Sequence, residues 1–142
     1  GFNLWPCYRG TGGRVTFIAA DWREVRVRLP LSWRTRNVVG TIFGGSLYGA
    51  VDPFFMIMLM KNLGPGFTVW DKAATIRFRR PGRTTLRAVF TLDESELAEI
   101  RRLLREGPKV DRTYTVLLVD EKGDVHTEIE KIVHISLNKP SW

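Results

Sequence analysis

The chain has 142 residues, 44% of them hydrophobic, and a formal net charge of +7. One domain of ordinary size over 1–142 is expected, with a core that needs neither metal nor disulfide. Its single cysteine, Cys7, excludes an intramolecular bridge and suits a reducing compartment, so a cytoplasmic protein is expected.

The most apolar run, 47–60, is interrupted by Asp52 and falls short of the ~20 residues a membrane span needs. No signal-peptide pattern opens the chain, and because it begins on Gly1 rather than methionine, residues upstream are left open. The positive charge suits a polyanion such as nucleic acid, anionic lipid or the phosphates of coenzyme A, or serves solubility alone.

Taken in order, Val15, Phe17 and Ala19, and then Val25, Val27 and Leu29, alternate with smaller or polar neighbours. A period of two marks strands with one buried face. A loop over 32–41 follows. The next run predicts a long helix from Gly44 or Gly45 to Asn62, stopped by Lys61, Gly64 and Pro65.

A strand over 69–80 follows, with Ile76 and Phe78 toward the core. Pro81-Gly82 turns the chain into a strand over 84–91. Asp93 and Glu96 read as a capping box for an amphipathic helix carrying Leu97, Ile100 and Leu104, which ends at Gly107-Pro108. Strands over 112–119 and 125–136 close the chain. In the last, Val125, Ile129, Val133 and Ile135 share one face and His126, Glu128, Glu130 and His134 the other. The pattern predicts an α+β architecture: an antiparallel sheet wrapped around one long apolar helix, with an extra amphipathic helix.

Chemistry is expected at the start of the long helix. Its first turn leaves N–H groups unpaired in a positive potential, and Gly44-Gly45 lets a carbonyl oxygen or oxyanion approach them. Asp52 is the only charged residue between Gly44 and Met60. A lone carboxylate there is a candidate general base or nucleophile, and equally an N-cap placed before Pro53. Gly45 and Asp52 share a face but lie about 10 Å apart along the axis at 1.5 Å per residue. Two antiparallel copies of the helix could join them in one site.

The segment Asn37-Val38-Val39-Gly40-Thr41-Ile42-Phe43-Gly44-Gly45, with Asp52 after it, resembles the motif of the hotdog-fold acyl-CoA thioesterases. In their phenylacetic-acid-pathway type, an asparagine precedes a His-Gly-Gly by six residues and an aspartate follows two turns later. The run 75–82 resembles their strand after the helix. Asn3-Leu4-Trp5-Pro6, 43–48, Asp52-Pro53 and 69–74 are closest to the subfamily related to the YiiD C-terminal domain, a domain of unknown function.

The resemblance implies a hotdog fold over nearly the whole chain. It implies that the Gly45 N–H polarises a thioester carbonyl, that Asn37 orients water or substrate, and that Asp52 of a partner chain acts as base or nucleophile. It implies a homodimer or a tetramer, and no cofactor beyond the coenzyme A of the substrate. Phe43 stands where those enzymes commonly carry histidine. Asp71 stands where a serine or threonine often assists, and is expected to pair instead with Lys72 or a partner's arginine. Phe43, Gly44 and Tyr48 are expected to border the substrate.

Arg77, Arg79, Arg80 and Arg83 cluster around one turn and either grip coenzyme A phosphates or guard a strand end. Nucleic acid is disfavoured, because Phe78 alternates inward and leaves no exposed stacking aromatic. No metal site is expected, since His126 and His134 are about 26 Å apart along a straight strand. Met56, Met58 and Met60 read as core filler or as the lining of an acyl tunnel. The leading reading is thioester hydrolysis; the alternative is a non-catalytic acyl-chain or acyl-CoA binding protein.

Overall fold

The computed structural model describes residues 1–138. Six strands form one antiparallel sheet in the order β1-β2-β4-β5-β6-β3: β1 (Arg14–Ile18), β2 (Glu24–Leu29), β3 (Phe67–Phe78), β4 (Leu86–Thr91), β5 (Lys109–Val119) and β6 (Val125–Leu137). Val25, Val27 and Leu29, and Leu86, Ala88 and Phe90, are buried while their neighbours face outward, as the period of two requires.

Strands β4 and β5 are joined by the pair Arg87↔Val119 alone. The connection between them is α4 (Glu94–Glu106), which buries Leu97, Ile100 and Leu104. Asp93 caps it by accepting from Glu96 N at 2.8 Å. Only this half of the expected capping box forms. The Glu96 carboxylate instead takes Arg112 and Tyr114 from β5, which ties α4 to the sheet.

The long helix is interrupted. It runs as α2 (Gly44–Gly49) and α3 (Phe54–Leu63), with a turn over 50–53 between them. Pro53 has no N–H to give the Gly49 carbonyl, and its ring clashes with that carbonyl. The freed polar groups find other partners: Tyr8 Oη donates to Ala50 O and Lys131 Nζ to Asp52 O, both at 2.8 Å. Tyr8 lies on α1 (Pro6–Arg9), a short helix that the sequence pattern did not indicate. Helix α3 packs Phe54 and Phe55 against Phe90, and Phe55 stacks on Tyr114. Met58 is fully buried as expected, but Met60 is half exposed, so α3 is not covered on all sides by this chain. No helix among the described residues is long and apolar enough to cross a membrane.

Candidate functional site

The loop before α2 is built by Asn37. Its Oδ1 accepts from Val39 N (3.1 Å) and Thr41 N (2.9 Å), and its Nδ2 donates to Thr41 Oγ1 (2.9 Å). Gly40 takes the left-handed conformation at φ 83° that this tight turn needs. Ile42 N then donates to Gly82 O, and Phe43 N to Thr35 O. The 81–82 turn is thereby fixed beside the start of α2. The resulting cleft, about 350 Å³, gathers Asn37, Gly44, Phe78, Arg79 and Arg80.

Within α2 the first N–H groups to find acceptors are those of Ser46 and Leu47, both at Phe43 O. Those of Gly44 and Gly45 have none among the described residues, which leaves two donors in the positive potential of a helix start. A Cβ on Gly44 would come within 3.5 Å of the Phe78 ring. One on Gly45 would meet Phe43 Cε1 at 2.6 Å. Phe43 thus lies directly against Gly45. Phe78 is 60% exposed at the end of β3, correcting the expectation that it turns into the core.

Asp52 is elsewhere. It borders a smaller apolar hollow of about 180 Å³ with Phe2, Trp5, Cys7 and Tyr8. It is not a helix cap, because α3 starts after Pro53 with no side-chain cap. Nor is it a lone buried carboxylate. Its side chain is 45% exposed and its Oδ1 takes Lys131 Nζ at 2.8 Å.

The same ammonium reaches Asp71 Oδ2 at 2.8 Å and Tyr48 Oη at 3.2 Å. Lys131 therefore joins Asp52, Asp71 and Tyr48, although its own side chain is only 1% exposed. Burial pulls the ammonium pKa down, but the hydrogen bonds it donates to Asp52 and Asp71 more than offset this, so it lies above the ordinary lysine value. Burial, then the neighbouring Asp52 carboxylate, raises the Tyr48 phenol.

The expected pairing of Asp71 with Lys72 is thus corrected. Lys72 pairs with Asp111, and Asp71 pairs with Lys131. The reason is a register shift between Asp71 and Ala73. Strict alternation would put Asp71 on the outer face with Thr75 and Arg77; the irregularity turns it inward.

Lys131 was missed by sequence reasoning, yet it had a signal. Position 131 lies on the inward series of β6 with Ile129 and Val133, and a lysine there must find carboxylates. The arginine cluster divides. Arg79 pairs with Glu128, and Arg80 stands 3.6 Å from Asp124. Arg77 lies with Thr75, Glu128 and Glu130 on the outer face, away from the cleft that holds Arg79 and Arg80, and Arg83 is exposed. His126 bonds Asp120 and Pro81 O, His134 bonds Asp111, and no metal-holding group occurs among the described residues.

An antiparallel sheet packed around a central helix, with unpaired donors where that helix starts, is the architecture of the hotdog fold, and solved structures agree. A protein of unknown function from Pseudomonas aeruginosa, described as a probable thioesterase, superposes with a TM-score of 0.78 at 23% identity, over 92% of this chain and 86% of that one. A thioesterase of Haemophilus influenzae gives 0.70 at 14%, over 96% and 86%. The E. coli PaaI protein from the phenylacetic acid degradation operon gives 0.67 at 19%, over 96% and 88%. At these identities the likeness establishes the fold. The chain belongs to the family described as Domain of unknown function (DUF4442), whose model matches residues 2–135. No curated protein matches it.

Proposed function

We propose that the protein hydrolyses an acyl-CoA-type thioester at a site completed by a second copy of the chain. The observation that carries this reading is the clamped Asp52. Lys131 holds one carboxylate oxygen and leaves Oδ2 without a partner among the described residues, on a side chain 45% exposed. Such a group is held in place with one oxygen free to accept a proton, as a general base must be. Gly44, beside Gly45 at the helix start, borders a different cleft from Asp52, which supports pairing each helix start with Asp52 of the second copy.

In that arrangement the thioester oxygen accepts from the Gly45 N–H, which stabilises the charge developing on it. Asp52 of the second copy takes a proton from water, the hydroxyl oxygen bonds the carbonyl carbon, and the C–S bond breaks. The thiolate of coenzyme A leaves and is protonated. Asn37 shapes the loop beside the donors, and its second Nδ2 hydrogen is left for substrate or water. Arg79 and Arg80 border the same cleft and suit phosphate, although each already has an acidic neighbour. The half-exposed Met60 and the single-partner edge strand β3 support a homodimer, on which a tetramer could build.

One observation favours acyl-CoA binding without turnover. Phe43 lies against Gly45 and offers no hydrogen bond beside the donors. A panel of acyl-CoAs with released thiol measured separates the readings. Asp52→Asn should cut turnover by ~10²-fold or more with binding retained. Mixing it with chains altered at Gly45 should restore activity through one intact site per heterodimer. No thiol release from any member of the panel, or wild-type turnover in Asp52→Asn, overturns the catalytic reading.

A further inference from the structure

Three arginines from three separate elements border one cleft away from α2. Arg9 ends α1, Arg14 opens β1, and Arg34 lies in the loop after β2. The cleft holds about 310 Å³ and has no carboxylate in its walls. A second hollow of about 550 Å³ shares Arg9, Trp33 and Arg34 with it, so Trp33 borders both.

These arginines differ from several others on the surface. Arg23, Arg26, Arg79, Arg102 and Arg112 each hold a carboxylate, whereas Arg9, Arg14 and Arg34 pair with none among the described residues. Arg14 also stands directly across from Arg28 in the β1–β2 register. Like charges in that position destabilise a sheet. Three arginines without a carboxylate partner around one cleft whose walls hold no carboxylate leave room for an anion.

The aromatic beside them narrows the choice. Trp33 is 83% exposed, and Arg34 Cζ sits 5.1 Å from its ring centroid. One face carries the guanidinium and the other is free for a flat ring. The loop is held in place rather than left loose. Thr35, buried, donates to Pro30 O at 2.8 Å and accepts from Ser32 N at 2.9 Å, while Arg34 N donates to Ser32 Oγ. Ordering is therefore already in place before a ligand arrives.

We propose that this cleft binds the diphosphate and base of a nucleotide. The guanidinium groups take the phosphate oxygens in charge-assisted pairs, and Trp33 stacks the base. Volume and chemistry fit a ligand of that size. A free nucleoside diphosphate and the nucleotide end of a coenzyme A thioester share this chemistry. The site itself does not depend on the thioesterase reading.

Calorimetric titration of the intact protein with adenosine 5′-diphosphate tests it, beside adenosine alone and pyrophosphate alone. Binding of the diphosphate below about 1 mM is expected, with each fragment weaker by about tenfold or more. Trp33→Leu, Arg9→Ala and Arg34→Ala should each weaken it by about tenfold, and added salt should weaken it too. Unchanged melting temperatures would show that these exposed substitutions leave the fold intact.

Coenzyme A added to the loaded protein separates the sources. Displacement assigns the site to the nucleotide of a thioester, coexistence assigns it to a free nucleotide, and both uphold the site. No binding of adenosine diphosphate at about 1 mM, or equal affinity in all three variants, overturns the proposal. Pyrophosphate binding as tightly as the diphosphate, with Trp33→Leu silent, overturns the nucleotide assignment.

Discussion

The two ends of α2 handle polar groups in opposite ways. Where the helix starts, the N–H groups of Gly44 and Gly45 have no acceptor among the described residues. Where it stops, the interruption at Pro53 frees carbonyls and exposes Asp52, and Lys131 and Tyr8 close on them. The first end is open to a ligand and costs little, because helix starts always carry unpaired donors. The second holds a buried ammonium, which is stable only while its carboxylates stay. Availability is thus set at one end by backbone alone, and at the other by a side chain from a strand 79 residues away in sequence.

Removing the clamp should give the largest effect. Lys131→Met leaves two partly buried carboxylates facing each other. Breaking a buried pair costs about 3–5 kcal/mol; since Asp52 and Asp71 keep some solvent, about 3 kcal/mol is expected. Urea melts would read this. Adding Asp71→Asn to the variant should recover part of the loss, because it removes the surplus charge, and strict additivity would break the clamp model.

Alkaline pH probes the same end. Lys131, Tyr8 and Tyr114 all have pKa values raised in the folded protein, Lys131 through its carboxylates against its own burial and the tyrosines chiefly through burial. A raised value favours the protonated form, so the folded state holds protons that the unfolded chain has lost. Their stabilisation is full below about pH 10 and falls as pH rises above it. Thermal melts should drop steeply there, and a flat profile would show that these groups are not buried as described.

The open end was legible in the sequence because its chemistry is local. Gly44-Gly45 marks the helix start by itself, and the family resemblance singled out Asn37 a few residues before it. Strand alternation gave the inward face of β2 for the same reason. The clamp depends on tertiary geometry instead. Asp71 turns inward only through the register shift beside it, and a period of two cannot show that. The split of the central helix was half visible: Pro53 marked a break, but the partners that make the break tolerable come from α1 and β6. Lys131 stood on the inward series and could have been questioned there.

A smaller effect is expected at the Asn37 loop. Asn37→Ala removes three hydrogen bonds and leaves Thr41 N unsatisfied in a largely buried position. The cost should be about 1–2 kcal/mol in chemical denaturation. Asn37→Asp keeps both acceptor bonds and loses only the donor to Thr41, so it should cost less. If the loop serves the open end, thioester turnover in Asn37→Ala should fall further than this loss of stability explains. Turnover unchanged at full folding would confine Asn37 to loop architecture.

The smallest change in stability, and the sharpest contrast with the clamp, is expected from Gly45→Ala. Alanine favours helix over glycine by up to about 1 kcal/mol. Against this, the new Cβ would stand 2.6 Å from Phe43 Cε1, too close to be tolerated without movement. The ring is 58% exposed and can swing away, so the two effects should nearly cancel, within about 0.5 kcal/mol. The displaced ring then has to occupy the space through which a carbonyl oxygen reaches the Gly45 N–H. Turnover should fall by about tenfold or more while the melting curve hardly moves, because donors aimed at a developing charge are lost without loss of packing. Phe43→Ala in the same chain removes the obstruction and should restore much of the turnover. A double variant no better than Gly45→Ala would mean that the methyl group itself blocks the approach, and wild-type turnover in Gly45→Ala would mean that the open end of α2 takes no part in the reaction.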